Sequence, residues 1–316
     1  MGTVRALPAH SHSGGARLGD AVAIFLDTVA VPNTRRGYAA ALHRLVADFG
    51  ADTGVASLDP DRVAGWFNSV WGSRAAKTFN TRLTALGSAC SYWRDQGWLA
   101  GDPLVRLRTR PISAGRVRAL TRPQVELILT TAAPLRDRVL WTLLYESAAR
   151  AEEALSLNVT DLDTANRCAV VTRKGGARDV IVWQTGTARL LPRMLAGRRR
   201  GPAFCTDRAA RPSVALVDVD PTTGKARMSY RRAAELFQAH TAGMPGGPFT
   251  LHQLRHSALT HAAEAGASTP MLMALSGHTS VRSLATYARV SAEALSKWQA
   301  ERDPAARRNT LRSHLR

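Results

Sequence analysis

Four separated stretches hold side chains suited to gripping a phosphate and moving protons. YESAARAEEAL carries Arg150, with Glu153 three residues on, and TRKGGARD carries Lys174 beside two glycines. LHQLRHSALTH carries His252 and Arg255, which at i and i+3 share one face of a helix. LSGHTSVRSLATYARV carries His278 and, nine residues later, Tyr287. Guanidiniums bind phosphate oxygens through paired hydrogen bonds, and histidine and lysine transfer protons. A tyrosine hydroxyl becomes a nucleophile once a base accepts its proton. Taken singly, each stretch also has an ordinary reading. These are a surface ion pair, a solvated turn lysine, a polar helix face, a glycine ending a helix, and a half-buried helical tyrosine.

Charge narrows the partner. The chain holds 43 Lys+Arg against 24 Asp+Glu, a formal net charge of +19, and a 45% hydrophobic fraction that builds an ordinary core. Such a balance points to a polyanion, nucleic acid or an anionic membrane surface, although an arginine-rich composition alone also raises it. A membrane span needs about 20 consecutive apolar residues, and no run approaches that. The first residues, MGTVRALPAHSHSGGARLGD, lack the apolar stretch of a signal peptide, and residues 1–15 read as a flexible tail. Cys90, Cys168 and Cys205 are odd in number and far apart, with no CxxC pair or zinc spacing. A metal or disulfide framework is therefore not expected, and a reducing, cytoplasmic compartment fits. At a prior of about 150 residues per domain, the length predicts two domains.

Periodicity supplies the elements that must hold these groups. Residues 16–104 read as a bundle of about four helices: GDAVAIFLDTVA, NTRRGYAAALHRLVADFG, LDPDRVAGWFNSVW and SRAAKTFNTRLTALGSACSYWRDQGW. Asn33 or Thr34 is the expected N-cap of the second, Gly50 its stop, and Asp59-Pro60 the start of the third. Arg35, Arg36, Arg74, Lys77 and Arg82 can share one exposed face. Residues 105–120, with Pro111, Gly115 and arginines at 106, 108, 110, 116 and 118, read as a basic linker suited to follow a phosphate backbone. A solvated basic loop is the other reading. From residue 121 the helices resume with TRPQVELILTTA and PLRDRVLWTLLYESAARAEEALSL, placing Arg150 at a helix junction. RCAVVTRKGGARDVIVW alternates on either side of Lys174-Gly175-Gly176 and predicts a hairpin; SVALVDVDPTTGKARM predicts an irregular one turning at DPTTG. Helices follow in MSYRRAAELFQAHT, in TLHQLRHSALTHAAEAG capped by Thr250, in STPMLMALSG capped by Ser268, in SVRSLATYARV, and in SAEALSKWQAERD. The fold class is mainly α with a small antiparallel β-sheet.

In chain order the chemistry-bearing residues run Arg, hairpin Lys, His-x-x-Arg, Gly-His, Tyr. This order and spacing resembles the catalytic set of the tyrosine recombinases, or phage integrase family. LLYESAARAEEALSL and LHQLRHSALTHAAEAGASTPMLMALSGHTSVRSLATYARV look like that family's two boxes. The likeness covers residues 121–316 as the catalytic domain and, more loosely, 16–104 as the SAM-like, core-binding helical domain. It implies a site-specific DNA recombinase that cleaves and rejoins DNA through a 3′-phosphotyrosyl intermediate. In that reading Arg150 and Arg255 clamp the non-bridging oxygens, whose negative charge grows in the transition state. Tyr287 attacks and frees a 5′-hydroxyl, with His252 as the base and Lys174 as the acid for the leaving oxygen. His278 bonds the phosphate, and Glu153 orients Arg150. No metal and no cofactor are implied, because arginines stand in for the cation and the covalent link conserves the bond energy. The lack of GxxxxGK[ST] agrees with that.

The same resemblance implies double-stranded DNA with a specific core site as partner. It also implies a homo-tetramer on two such sites, with Arg35, Arg36, Lys77, Arg106, Arg108, Arg110 and Arg116 as candidate DNA contacts. The C-terminal helix either docks on a neighbouring protomer or packs on its own domain. Ala149 stands where the family has glycine before its first arginine, and Ala177 where it often has a second basic residue. Residues 206–227 exceed a minimal member's length, and the short stretch before Leu18 matches compact Xer-like and Cre-like members. A type IB-like topoisomerase or telomere resolvase uses a similar residue set. A non-catalytic DNA-binding relative is a third reading, against which the complete set argues. Tyr230, flanked by arginines, is the rival nucleophile, but no Gly-His precedes it at the required spacing.

Overall fold

The computed structural model describes residues 15–112, 119–173, 176–278 and 280–284, with isolated positions 296, 299 and 300. The chain divides into two compact units, residues 1–115 and 116–316.

The first unit is built from α1 (Leu18–Thr28), α2 (Pro32–Phe49), α3 (Pro60–Trp71) and α4 (Ala76–Asp95). Apolar positions at helical spacing put Leu18, Val22 and Phe25 of α1, Leu42 and Leu45 of α2, Phe67 of α3 and Leu86 and Trp93 of α4 into one core. The indole N–H of buried Trp93 donates to the Ala21 carbonyl at 3.1 Å, so the large ring leaves no orphaned donor. As expected, α3 starts at Asp59-Pro60: the Asp59 carboxylate accepts the Arg62 amide at 2.8 Å. The expected cap of α2 at Asn33 or Thr34 is corrected to Val31, because Pro32, with no N–H and a helical φ, opens the first turn. The Asn33 side chain instead accepts a bond from Arg36 at 3.0 Å. Residues beyond α4 continue to lie on this unit. Leu104 and Leu107 join its core, and the Arg110 guanidinium sits 3.8 Å over the Phe79 ring.

The second unit centres on α6 (Leu135–Ser147), whose Val139, Leu140, Trp141, Leu143 and Leu144 are buried around nearly the whole helix. Around it stand α5 (Arg122–Thr130), α7 (Ala151–Ser156), α8 (Thr185–Leu195), α9 (Tyr230–Thr241), α10 (Leu251–Glu264), α11 (Thr269–Ser276) and α12, described over Val281–Leu284. Three antiparallel strands, β1 (Leu162–Asp163), β2 (Cys168–Thr172) and β3 (Arg178–Val182), form a sheet in which Cys168 pairs with Val182 and Thr172 with Arg178. That is the hairpin expected around Lys174. The second expected hairpin forms only as a short irregular one about DPTTG, with Val219 bridging Ala226 antiparallel and the Asp220 amide donating to the Lys225 carbonyl at 2.8 Å. The segment Leu216–Asp218 is a single 3-10 turn, and β5 (Lys225–Arg227) takes β4 (Cys205–Ala209) as its strand partner. Asp218 bonds Arg227 at 2.7 Å instead of extending a strand, while Leu216 and Val217 find no core to pack against. The turn at DPTTG does form, closed by the Gly224 amide on the Asp220 carbonyl at 2.8 Å. Helix α8 was not expected from the sequence, since Pro192 inside it reads as a breaker. It is held by tertiary contact: the Glu146 carboxylate accepts amides of Gln184, Gly186 and Thr187 at 2.9, 3.0 and 3.1 Å, capping its N-terminus from α6.

Candidate active site

The central helix α6 stops at Ala148, which takes a left-handed conformation (φ 50, ψ 22), and the chain turns before α7 begins. The glycine-favouring position is therefore Ala148, one residue before the Ala149 singled out in the sequence; Ala149 lies in the turn it creates. Arg150 caps α7, and Glu153 on the first turn of that helix folds back over it. One Glu153 oxygen accepts the Arg150 amide at 2.9 Å and the other accepts Arg150 Nη1 at 2.7 Å. This is capping-box geometry with an arginine drawn into it.

A third partner joins the same carboxylate. Arg173 Nη1 donates to Glu153 Oε2 at 2.9 Å, and Arg173 Nε donates to Asp179 Oδ2 at 2.9 Å across the hairpin. Glu153 is 5% exposed and Arg173 8%, so the pair is sequestered from water. Arg173 is not among the site residues expected from the sequence, yet the sequence carries a signal for it. Ala169 and Val171 face inward on β2, and strict alternation puts residue 173 on the same face. A charge at an inward position needs an opposite charge, and Glu153 supplies it.

Arg255, 3% exposed, reaches from α10 into the junction. Its Nη1 donates to the Ala148 carbonyl and its Nη2 to the Ser276 carbonyl at 2.6 Å, so it joins the α6–α7 turn to the end of α11. Arg173 Nη1 approaches the same Ser276 carbonyl at 3.4 Å. Cations gathering at the last carbonyl of a helix also meet the negative end of its dipole. Gly277 then takes φ 60, which ends α11 and delivers His278. His278 is half-buried, and its amide donates to Ser276 Oγ at 3.3 Å. Burial first, then the charges of Arg255, Arg150 and Arg173, hold its pKa below the ordinary 6.5, opposed in part by Glu153. His252 stands exposed on the first turn of α10, one turn before Arg255.

The structure thus gathers Arg150, Glu153, Arg255 and His278, with Arg173 added, into one positively charged site. Lys174 and Tyr287 lie outside the described residues, as do Arg116 and most of the C-terminal helix. The chain leading to Tyr287 is placed as far as Leu284, buried in a small cluster with Ala148, Ala258, Leu259 and Leu272. Tyr230 is exposed at the start of α9, and Tyr145 is half-buried on α6 with its hydroxyl 2.8 Å from His261 Nδ1. Among the described residues no cluster of three His, Cys, Asp or Glu is placed to hold a metal, and no helix is long and apolar enough to cross a membrane.

The candidate DNA contacts other than Arg116 fall in the first unit. Arg35, Arg36, Lys77, Arg106 and Arg108 are exposed. Arg35 pairs with Asp27, and Arg106 with Asp61 at 3.0 Å. Arg110 is committed to the fold: beyond its stacking on Phe79, it donates to the Gly72 carbonyl at 2.7 Å and exchanges backbone bonds with the Asn80 side chain.

Known proteins share both the sequence and the architecture. The family model described as the phage integrase family matches residues 118–294. The tyrosine recombinase XerC of Mycobacterium tuberculosis is 32% identical over 274 residues, spanning 82% of this chain and 88% of the relative. XerC of Mycobacterium leprae is 29% identical over 276 residues, spanning 83% and 90%. Among solved structures, the Tn1549 transposon integrase in complex with circular intermediate DNA superposes with a TM-score of 0.68 at 17% identity, over 91% of this chain and 99% of that one. The XerH site-specific recombinase bound to palindromic difH substrate gives 0.67 at 16% identity, over 93% and 98%. At these identities the structural likeness is one of fold, whereas the family match and the XerC identity are matches of sequence. The chain belongs to the phage integrase family, the tyrosine recombinases.

Proposed function

We propose that this chain recombines double-stranded DNA at a specific core site in the cytoplasm, cutting and rejoining each strand through a 3′-phosphotyrosyl link on Tyr287. The observation that carries the reading is the convergence of Arg150, Arg255 and His278, from elements up to 128 residues apart in sequence, on one junction that leads directly into the Tyr287 segment. Guanidiniums already fixed by Glu153 and by two backbone carbonyls need little reorganisation when phosphate charge develops, which is how such groups lower a barrier. Tyr287 Oη attacks the scissile phosphorus and the 5′-oxygen departs. His252 takes the tyrosyl proton, and Lys174 gives a proton to the leaving oxygen. His278, held neutral at pH 7 by its surroundings, offers a hydrogen bond to a phosphate oxygen without adding a charge. The reverse attack by a 5′-hydroxyl reseals the strand with no external energy source.

The partner assembly we propose is a homo-tetramer on two DNA sites, with the exposed Arg35, Arg36, Lys77, Arg106 and Arg108 on the phosphate backbone. The XerH and Tn1549 integrase structures, alike in fold and both complexes with DNA, support the DNA-binding part of this reading. A nicked suicide substrate tests the chemistry. Wild type should form a covalent protein–DNA adduct in the presence of a chelator and without ATP, while Tyr287→Phe should bind the same DNA and form none. Equal adduct from both proteins would remove Tyr287 as the nucleophile.

A further inference from the structure

The buried arginine directly after β2 has no part in the proposed chemistry, yet it touches two of the segments that do, the start of α7 and the end of α11. Arg173 bonds Glu153 on α7, Asp179 on β3 and the Ser276 carbonyl that ends α11. It directly precedes Lys174 in the chain, and its own backbone closes the hairpin base: its amide donates to the Ala177 carbonyl at 2.7 Å and its carbonyl accepts the Gly176 amide at 3.0 Å. Its guanidinium also lies against Gly277, where an added Cβ would stand 2.2 Å from Arg173 Cζ. Glycine is therefore required there twice, for its φ of 60 and for the space the guanidinium fills. Fold stability alone does not explain an arginine at this place. Nη2 is buried with no hydrogen-bond acceptor among the described residues, and an apolar side chain would fill an inward position at no desolvation cost.

We propose that Arg173 is a positioning residue for strand cleavage. Its grip on Glu153 holds the carboxylate that aims Arg150. Its contacts with Ser276 and Gly277 set the turn that presents His278. Two groups assigned to the phosphate, Arg150 and His278, are tied to one guanidinium. Lysine cannot replace it, because a single ammonium does not span Glu153, Asp179 and the Ser276 carbonyl with a planar fork. The inference rests on the proposed cleavage by Tyr287.

The experiment compares wild type, Arg173→Gln and Arg173→Lys on the nicked suicide substrate, in single turnover, alongside DNA affinity and melting temperature. Both variants should bind DNA within about threefold of wild type, since the residue is buried and meets no phosphate. Arg173→Gln should form adduct on the order of 100-fold more slowly, the usual result of displacing aligned groups by about an ångström, and Arg173→Lys should recover part of the loss. The pH profile supplies a reading that a purely structural pair would not move. The charged groups around His278 are Arg255 from α10, Arg150 and Glu153 from the α6–α7 junction, and Arg173. Removing the last in Arg173→Gln should let His278 protonate at higher pH and shift the acid limb of the rate upward, while Arg173→Lys leaves that limb near its wild-type place. Wild-type rates and profiles in both variants would overturn the inference. So would rate losses that simply track losses of melting temperature or DNA affinity, with the acid limb unmoved. If wild type itself forms no adduct while binding DNA, the cleavage reading fails first and the inference fails with it.

Discussion

The two units use arginine in opposite ways. In the helical unit Arg17, Arg35 and Arg106 pair with Asp52, Asp27 and Asp61, and every one of these side chains is at least half exposed. In the second unit Arg173 and Glu153 pair at 7% and 5% exposure, and Arg255 is bonded to carbonyls from two other segments. An exposed guanidinium trades its partner for water or a phosphate at little cost, so it serves attraction. A buried one cannot swap partners cheaply, so it holds a position. In the proposed function, drawing in a polyanion and aligning one phosphate are thus divided between surface and interior arginines of the same chain.

The contrast can be broken most forcefully at Arg255. Arg255→Ala should lower single-turnover adduct formation by about 10²–10³, the scale for losing one transition-state donor, and should lower the melting temperature as well. The Ala148 and Ser276 carbonyls would lose their buried donor. A variant that melts early yet cleaves normally would separate the structural role from the chemical one. Glu153→Ala comes next: stripping the carboxylate from a buried pair should cost about 3–5 kcal/mol in urea unfolding, because Arg173 is left buried with Asp179 as its remaining counter-charge. A cost below 1 kcal/mol would mean that the interior pair behaves like a surface one.

A smaller effect concerns pH. Burial and neighbouring guanidiniums hold His278 below 6.5, and burial, then Arg122, holds His261 below it too. As pH falls, the unfolded chain therefore takes up these protons before the folded one. The stability from keeping both rings neutral is complete above 6.5, drains as pH drops from 6.5 towards the folded values, and then levels. Urea unfolding between about pH 8 and 5 should show this slope, and His278→Asn should remove part of it. The smallest change in stability is expected at the surface. Arg35→Ala should alter unfolding by less than about 1 kcal/mol, yet reduce the slope of log affinity for DNA against log salt by about one. An unchanged slope would take Arg35 off the DNA.

Two helix starts were legible because a short side chain caps its own turn. Asp59 accepts the Arg62 amide and Ser268 the Met271 amide, each within three residues. The hairpin around Lys174 was legible because alternation on both arms demands one register. The second hairpin was legible at its DPTTG turn, where Val219 bridges Ala226, whereas the polar strand CTDRA, which pairs with β5 across a bulge, gave no alternating signal. Helix α8 was hidden by its internal proline and depends on Glu146, about 40 residues earlier in sequence, for its cap. Arg110 read as a DNA contact, but the unit supplied an aromatic face and a carbonyl for it instead.

The sequence by itself determined which residue types are present, their order, the local caps and turns, and the family to which that order belongs. These are short-range properties, set by side chains a few residues apart and by the period of burial. Only the tertiary structure decided that Ala148 takes the left-handed turn, that Glu153 serves Arg150 and Arg173 together, and that the Ser276 carbonyl receives two guanidiniums. Arg173 is 20 residues from Glu153 and 103 from Ser276, and spacing in the chain carries no information about such encounters. Packing of the sheet and helices around α6 brings them together, and burial then makes each charge depend on the others.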